Sequence, residues 1–231
     1  MSTIANDLNL YRTPVPIGKE LRPFEDIYPE EYWINLSTNS AGLGSYGTLS
    51  PTRTLHPMTS IIGITYFSLA TVVMSANLSD RDDKIAIISS DVKMSAYGKP
   101  QLPYNLRKPV APLIHMLMFE RYVRDTSYRR AIKKAVAEDV YFDIYKPGSY
   151  TEPPTSTYFS SWYPELINSI VLMDKTGEVP DLLEEHKSNK WYKGILYCSE
   201  QEFLDGFDTL VDEFRRVSNL HIMGKYWTSP M

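Results

Sequence analysis

The feature that most constrains this chain is a long run without any charged residue, at positions 58–79. It reads MTSIIGITYFSLATVVMSANLS and is followed at once by the charged stretch 80–84. About 20 apolar residues can span a bilayer, but the Ser, Thr and Tyr residues dilute the apolar character of this run. We therefore predict one buried helix over 58–76, with a single membrane span through 58–76 as the alternative. In the buried helix, protein should surround Ile61, Ile62, Ile64, Leu69, Val72 and Val73 on nearly all sides.

The composition is that of a globular protein. The chain has 231 residues, of which 43% are hydrophobic and 23% charged, with a net charge of −4. This size allows one large domain or two small ones, and the charge argues against a polycation that coats nucleic acid. The single cysteine, Cys198, excludes an intramolecular disulfide framework. The 17 tyrosines and 16 prolines favour surfaces buried against partners and stiff connections.

Residues 1–57 are predicted to form an extended N-terminal arm. Prolines interrupt every potential helix there, at positions 14, 16, 23, 29, 51 and 57. The segment nevertheless carries more apolar side chains than a disordered tail would, so we expect it to lie against its own domain or a neighbouring subunit. Tyr28, Tyr32 and Trp33 are predicted to contact that partner. The rest of the chain, 58–231, is predicted to be a single mainly helical domain.

The predicted fold class is α+β, predominantly α: a helical core, a small β element near 84–97 and long Pro-rich irregular connectors. The short apolar stretches on either side of Ser89 and Ser90 suggest the β element. A long helix is predicted from about Pro112 to Phe142, with a break near Asp125.

The C-terminal third is predicted to be helical. Pro164 should open a helix that Gly177 closes, and 181–191 has a helical pattern, with a short strand as one interpretation of 194–197. Ser199 and Glu202 form a capping box before the last helix. That helix should bury residues that recur at helical spacing, namely Phe203, Phe207, Leu210, Phe214 and Val217.

The chain shows no recognisable catalytic or metal-binding motif. The four histidines are scattered without ligand spacing, and no nucleophile elbow or Walker loop occurs. The carboxylates after Asp80 resemble the start of a calcium loop, but Ile85 stands where that loop needs glycine, so a helix end or turn is favoured. The pattern Gly-x-Gly-x-x-Gly at 42–47 is followed by Pro51 rather than a helix and is interpreted as a loop. We therefore predict no catalytic residue, no metal and no cofactor.

One basic stripe falls within the predicted long helix. It could meet phosphates or an acidic partner, although a solvated helix face with Glu120 paired to Arg124 is favoured. Its members are Arg121, Arg124, Arg129, Arg130, Lys133 and Lys134.

These features predict a non-catalytic structural subunit of a large assembly, most plausibly a virion connector, tail or capsid-associated protein. Its expected partners are protein subunits of that assembly, including further copies of itself; nucleic acid is a less favoured partner. The first alternative is an accessory subunit of a membrane complex with one span at 58–76, and the second is a soluble enzyme without a recognisable motif. The N-terminus lacks the pattern of a secretory signal, so we expect an intracellular or virion location, with a membrane location as the alternative.

Overall fold

A computed structural model describes the chain at residues 33–36, 43–53, 56–90, 98–103, 106, 110–143, 159–179, 181–188, 190 and 192–226. These residues form a mainly helical structure with two small two-stranded sheets, which confirms the predicted α+β, predominantly α, class. The first half contains β1 (Trp33–Asn35), a 3-10 helix (Gly44–Leu49), β2 (Met58–Thr59), β3 (Thr65–Tyr66), α1 (Leu69–Ser75) and α2 (Arg81–Ile88). The second half contains α3 (Val110–Arg124), α4 (Thr126–Glu138), β4 (Tyr141–Asp143), α5 (Phe159–Thr176), α6 (Asp181–Ser188) and α7 (Glu200–Tyr226).

The charge-free run does not form the single helix predicted over 58–76, and that prediction is wrong. Its first part is a hairpin in which β2 pairs antiparallel with β3, and its second part is the short helix α1. Gly63, with φ of +85°, makes the hairpin turn, and the Ser68 hydroxyl accepts from the Thr71 N–H to begin α1. The expected burial holds for Ile61, Ile62, Ile64, Leu69 and Val72, while Val73 is half-buried. Within the described part of the chain, no helix is both long and apolar enough to cross a membrane.

The first half of the β element predicted near 84–97 is wrong. Residues 81–88 form α2, because the Asp80 carboxylate accepts from the Asp83 N–H at 2.8 Å and caps a helix there. The favoured helix-end interpretation of Asp80 is thereby confirmed. Its second half, 91–97, lies outside the described residues and stays a prediction; the strands found in the described part of the chain are β1 to β4.

The long central helix is broken at Asp125, as predicted. The Asp125 carboxylate accepts from the N–H groups of Ser127 and Tyr128 at 2.9 and 3.2 Å, so it ends α3 and caps α4. The helix does not continue to Phe142, however. Asp139 takes a left-handed conformation, with φ of 52°, and the chain then enters β4.

The described part of the predicted arm packs against its own domain, which is one of the two expected positions. Strand β1 pairs in parallel with β4, in the register Ile34 to Phe142. The 3-10 helix replaces the loop predicted at 42–47, and Tyr163 donates to the Leu49 carbonyl at 2.8 Å. Leu36, Leu43, Tyr46 and Leu49 all belong to the main core. From β1 onward the described residues of this segment are part of the helical body, and residues 1–32 lie outside the described residues.

The C-terminal helices largely follow their sequence signals. Helix α5 begins before Pro164, which lies inside it, and ends at Gly177, with φ of 75°. Residues 194–197 form a turn rather than the suggested strand. The capping box is confirmed: Ser199 N–H donates to Glu202 Oε2 at 2.8 Å, and Glu202 N–H donates to Ser199 Oγ at 3.2 Å. The predicted face of α7 is buried in the core.

Candidate functional site

Two adjacent charged residues of α3 are buried in the core. Glu120 has no exposed surface, and its Oε1 accepts from the Ile61 N–H at 3.1 Å and from Arg124 Nη1 at 2.7 Å. Burial raises the pKa of Glu120 to about 7, although Arg124 and the Ile61 N–H oppose that rise. Among the described residues, Glu120 Oε2 has no hydrogen-bond partner. Glu120 is thus a buried acid poised to titrate near neutral pH.

Arg121 ties the hairpin to α3. Its guanidinium donates to both the hydroxyl and the carbonyl of Tyr66, at 3.2 and 3.3 Å, and to the His56 carbonyl at 3.0 Å. It also forms an ion pair with Asp125 at 3.2 Å. Five donors in a rigid fork allow one arginine to satisfy several buried acceptors at once. The contacts of Arg121 are those of a structural cross-link.

A second polar cluster joins α3, α4 and α5. The Tyr122 hydroxyl donates to Asp174 Oδ1 in a short hydrogen bond, and Lys133 Nζ lies 3.0 Å from the same oxygen. Burial and the Asp174 carboxylate hold the pKa of Tyr122 well above its usual range. This cluster therefore keeps a neutral phenol and a charged pair between three packed helices.

The six residues of the predicted basic stripe do not share one exposed face. Arg121 is buried, and Arg129 turns back on α3 to donate to the carbonyls of Tyr122 and Val123 at 3.0 and 2.5 Å. Arg130 is exposed. The others form ion pairs within the chain: Arg124 with Glu120 and Glu213, Lys133 with Asp174, and Lys134 with Glu138.

A cavity of about 520 Å³ lies beside α1 and α2. We call it the α1–α2 cavity. Its wall is mainly aliphatic and comes from the hairpin, from both helices, from α3 and from the turn at 194–198. Ligand sites are commonly apolar cavities of roughly 300–1,000 Å³ with a few polar groups. The aliphatic side chains that line it are Ile62, Ile64, Val72, Ile88, Leu102, Leu106, Leu113, Ile195 and Leu196.

The polar groups of the α1–α2 cavity lie mainly on α2 and on the turn before α7. Arg81 and Lys84 are one helical turn apart on α2, and burial lowers the pKa of Lys84. The Arg81 guanidinium carbon lies 5.5 Å from the centre of the Tyr197 ring. Cys198 also lines the cavity; its Sγ donates to the Ile61 carbonyl at 3.3 Å, and burial raises its pKa. The lining therefore combines aliphatic side chains with a comparable share of polar surface, and two cations lie at one side.

The other residues singled out by sequence are not brought together. Tyr28 and Tyr32 lie outside the described residues, and Trp33 is the first residue of β1. His56 is exposed and His115 is buried in α3. Among the side chains that the structure describes, no three His, Cys, Asp or Glu residues are grouped as metal ligands.

Sequence reasoning missed the α1–α2 cavity. Its wall joins positions 62–88 to positions 194–198, and no pattern in either segment predicts that they meet. The one local signal is the i, i+3 spacing of Arg81 and Lys84, which places two cations on one face only if 81–88 is a helix. Because a β element is predicted near 84–97, the sequence does not place Arg81 and Lys84 on one helical face.

Comparison with known proteins yields no match to a family model, a curated protein or a solved structure.

Proposed function

We propose that this chain is a non-catalytic structural subunit of a larger assembly, and that it assembles with further copies of itself. A single observation carries the proposal: two Pro- and Tyr-rich segments attach to one small sheet. Residues 1–32 lead into β1, and residues 144–158 follow β4, its parallel partner. Proline stiffens such segments, and tyrosine provides large contact area with a polar tip. They have the composition expected of segments that contact neighbouring subunits.

The sheet is firmly held by the helical body. The side-chain amide of Asn168, on α5, accepts from the Phe142 N–H at 3.0 Å and donates to the Phe142 carbonyl at 2.9 Å. The Phe142 ring is buried and meets the Tyr46 ring edge-on, with 5.5 Å between their centres. Contacts made by the attached segments would therefore be transmitted to a rigid core rather than to a mobile hinge.

The use of buried charge supports the same proposal. Glu120, Arg121 and Asp174 are almost fully buried, and each bonds to groups on a neighbouring element or helical turn. Buried charges need such partners because isolated burial is costly. Their arrangement suits a body that must stay rigid under load from neighbours. A virion connector, tail or capsid-associated protein is the setting that we favour.

The experiment is native mass spectrometry of the full chain and of two double variants. Tyr28→Ser/Tyr32→Ser removes two rings from the segment before β1, and Tyr28→Phe/Tyr32→Phe keeps the rings as a matched control. We expect the wild type and the Phe variant to be oligomeric and the Ser variant to be of lower mass with an unchanged Tm, because ring area provides most of the contact.

A wild-type chain that stays monomeric at every concentration would overturn the proposal. Equal oligomer populations for the Ser and Phe variants would instead show that the rings of Tyr28 and Tyr32 do not contribute to the contact between subunits. The membrane-subunit alternative required one helix over 58–76, which the hairpin and α1 replace, so we do not propose it.

A further inference from the structure

We propose that the α1–α2 cavity is a binding site for a medium-chain aliphatic carboxylate. The chain would lie along the aliphatic wall, and the carboxylate would lie between Arg81 and Lys84. This inference goes beyond the proposed assembly role and does not depend on it.

The wall provides the apolar half of the site. Ile62, Val72 and Leu113 line the cavity and are 4% exposed or less, so they are held in place by the core behind them. A preformed apolar wall favours an alkyl chain in proportion to the apolar surface that the chain buries. The volume of about 520 Å³ suits a single short chain rather than a two-chain lipid.

The two cations provide the polar half. Arg81 is exposed and lines the cavity, its guanidinium carbon lies 5.5 Å from the centre of the Tyr197 ring, and Lys84 lies one turn further along α2. Of the acids on the same turn, Asp80 caps the helix, Asp83 pairs with Lys99 at 2.5 Å, and Asp82 is exposed to solvent. Among the described residues, no carboxylate lies within ion-pair distance of Arg81 or Lys84.

Burial disfavours the charged form of the Lys84 ammonium, and no described carboxylate lies close enough to offset that cost. An incoming carboxylate would relieve that cost and would accept charge-assisted hydrogen bonds from both side chains. A neutral alcohol of the same chain length would gain only the apolar contacts. An alkylammonium would meet two like charges. The arrangement therefore selects the anion among ligands of equal length.

The test is isothermal titration of the full chain with decanoate, 1-decanol and decylammonium, each below its aggregation concentration. We expect decanoate to bind at least roughly tenfold more tightly than 1-decanol, since hydrogen bonds to charged groups contribute about 1.5–3 kcal/mol. Arg81→Gln/Lys84→Gln should remove that preference. The matched control Arg215→Gln/Arg216→Gln, which removes two exposed charges from α7, should retain it.

Cys198 supplies a second readout that is specific to the cavity. It is the only thiol of the chain, so alkylation by iodoacetamide reports on that position alone. Saturating decanoate should slow the alkylation of the wild type. Ala76→Phe, which places a ring in the cavity, should abolish both the heat of decanoate binding and the protection.

Three results would overturn the proposal. The first is no binding of decanoate to the wild type, and the second is equal affinity for the three probes. The third is decanoate binding that leaves the alkylation rate of Cys198 unchanged, which would place the ligand elsewhere on the protein. All three can be read from the wild type alone, so the proposal stays testable if Ala76→Phe fails to fold.

Discussion

Gly63 lies against the backbone of Tyr197, so closely that a Cβ at position 63 would come within 2.9 Å of the Tyr197 carbonyl carbon. The neighbouring backbone reinforces this contact, because the Tyr197 N–H donates to the Ile62 carbonyl at 2.9 Å. The hairpin turn and the segment before α7 are thereby joined across 134 positions of sequence (197 minus 63). The contact fixes one wall of the α1–α2 cavity.

Gly63→Ala is expected to destabilise the protein more than Gly177→Ala does. Both glycines have positive φ, at +85° and +75°, so both variants incur the conformational cost of roughly 1–2 kcal/mol. A Cβ at position 177 would meet nothing within 4 Å, whereas one at position 63 would collide with backbone, adding about 1–3 kcal/mol. Urea unfolding of both variants measures the difference. Equal losses would show that the approach of Gly63 to Tyr197 is not tight.

Phe214→Ala is expected to cost about 3–5 kcal/mol of unfolding free energy. Phe214 has no exposed surface, and its ring lies 5.7 Å from that of Phe119 and 6.0 Å from that of Tyr122, centre to centre. Asp212→Ala, at an exposed position of the same helix, is the control and should change stability by less than about 0.5 kcal/mol. Similar values for the two variants would contradict the burial of this face of α7.

Leu49→Ala is expected to cost about 2–5 kcal/mol, because the side chain is fully buried in the main core. This outcome separates a core segment from the N-terminal arm predicted by sequence, whose side chains could be truncated without unfolding the helical body. Arg53→Ala, at an exposed position of the same segment, should have little effect. If chemical denaturation shows a negligible loss of unfolding free energy for Leu49→Ala, the segment up to residue 57 is not part of the core.

Glu120→Gln is expected to make stability less dependent on pH. The pKa of Glu120 is raised from 4.5 to about 7 in the folded chain. The folded state therefore holds this proton more tightly, and the resulting stability is fully present below pH 4.5 and is lost as the pH rises through about 7. Glutamine does not titrate, so the variant should lack this loss, which amounts to at most roughly 3 kcal/mol.

Unfolding free energies measured below pH 4.5 and above pH 7 test this expectation. Glu213→Gln is the matched control, because the half-exposed Glu213 carboxylate also approaches Arg124, at 3.6 Å. A Glu120→Gln variant whose stability falls across this range as steeply as that of the wild type would assign the pH dependence to another group.

The sequence correctly predicts the ends of those helices that are fixed by residues only a few positions away. The Ser199–Glu202 capping box, the Asp125 break and the Gly177 helix end all depend on a side chain or a φ angle acting on its own neighbourhood. Periodicity correctly predicted the buried face of α7, because its apolar residues face one side of a helix whatever they pack against.

Apolar runs with weak periodicity were predicted less well. Residues 58–76 carry no charge, and residues 84–88 are rich in isoleucine. Each pattern fits a helix and a strand equally well. In the structure, residues 58–76 form a hairpin and a helix, whose turn and start are set by Gly63 and Ser68. Residues 84–88 lie in a helix that Asp80 caps. The N-terminal core residues were misplaced for a related reason, since Leu36 and Leu49 lie in a segment that has no regular spacing.

Local sequence patterns suffice to predict a mainly helical protein with a hydrophobic core, the ends of its capped helices and the apolar face of α7, because these depend on composition and on contacts within a few residues. Long-range packing sets the pairing of β1 with β4, the burial of Arg121 against Tyr66, and the position of Lys84 and Cys198 in one cavity. Each of these joins positions far apart in the chain. Such pairings are selected by the packing of the whole core, which no local pattern of residues encodes.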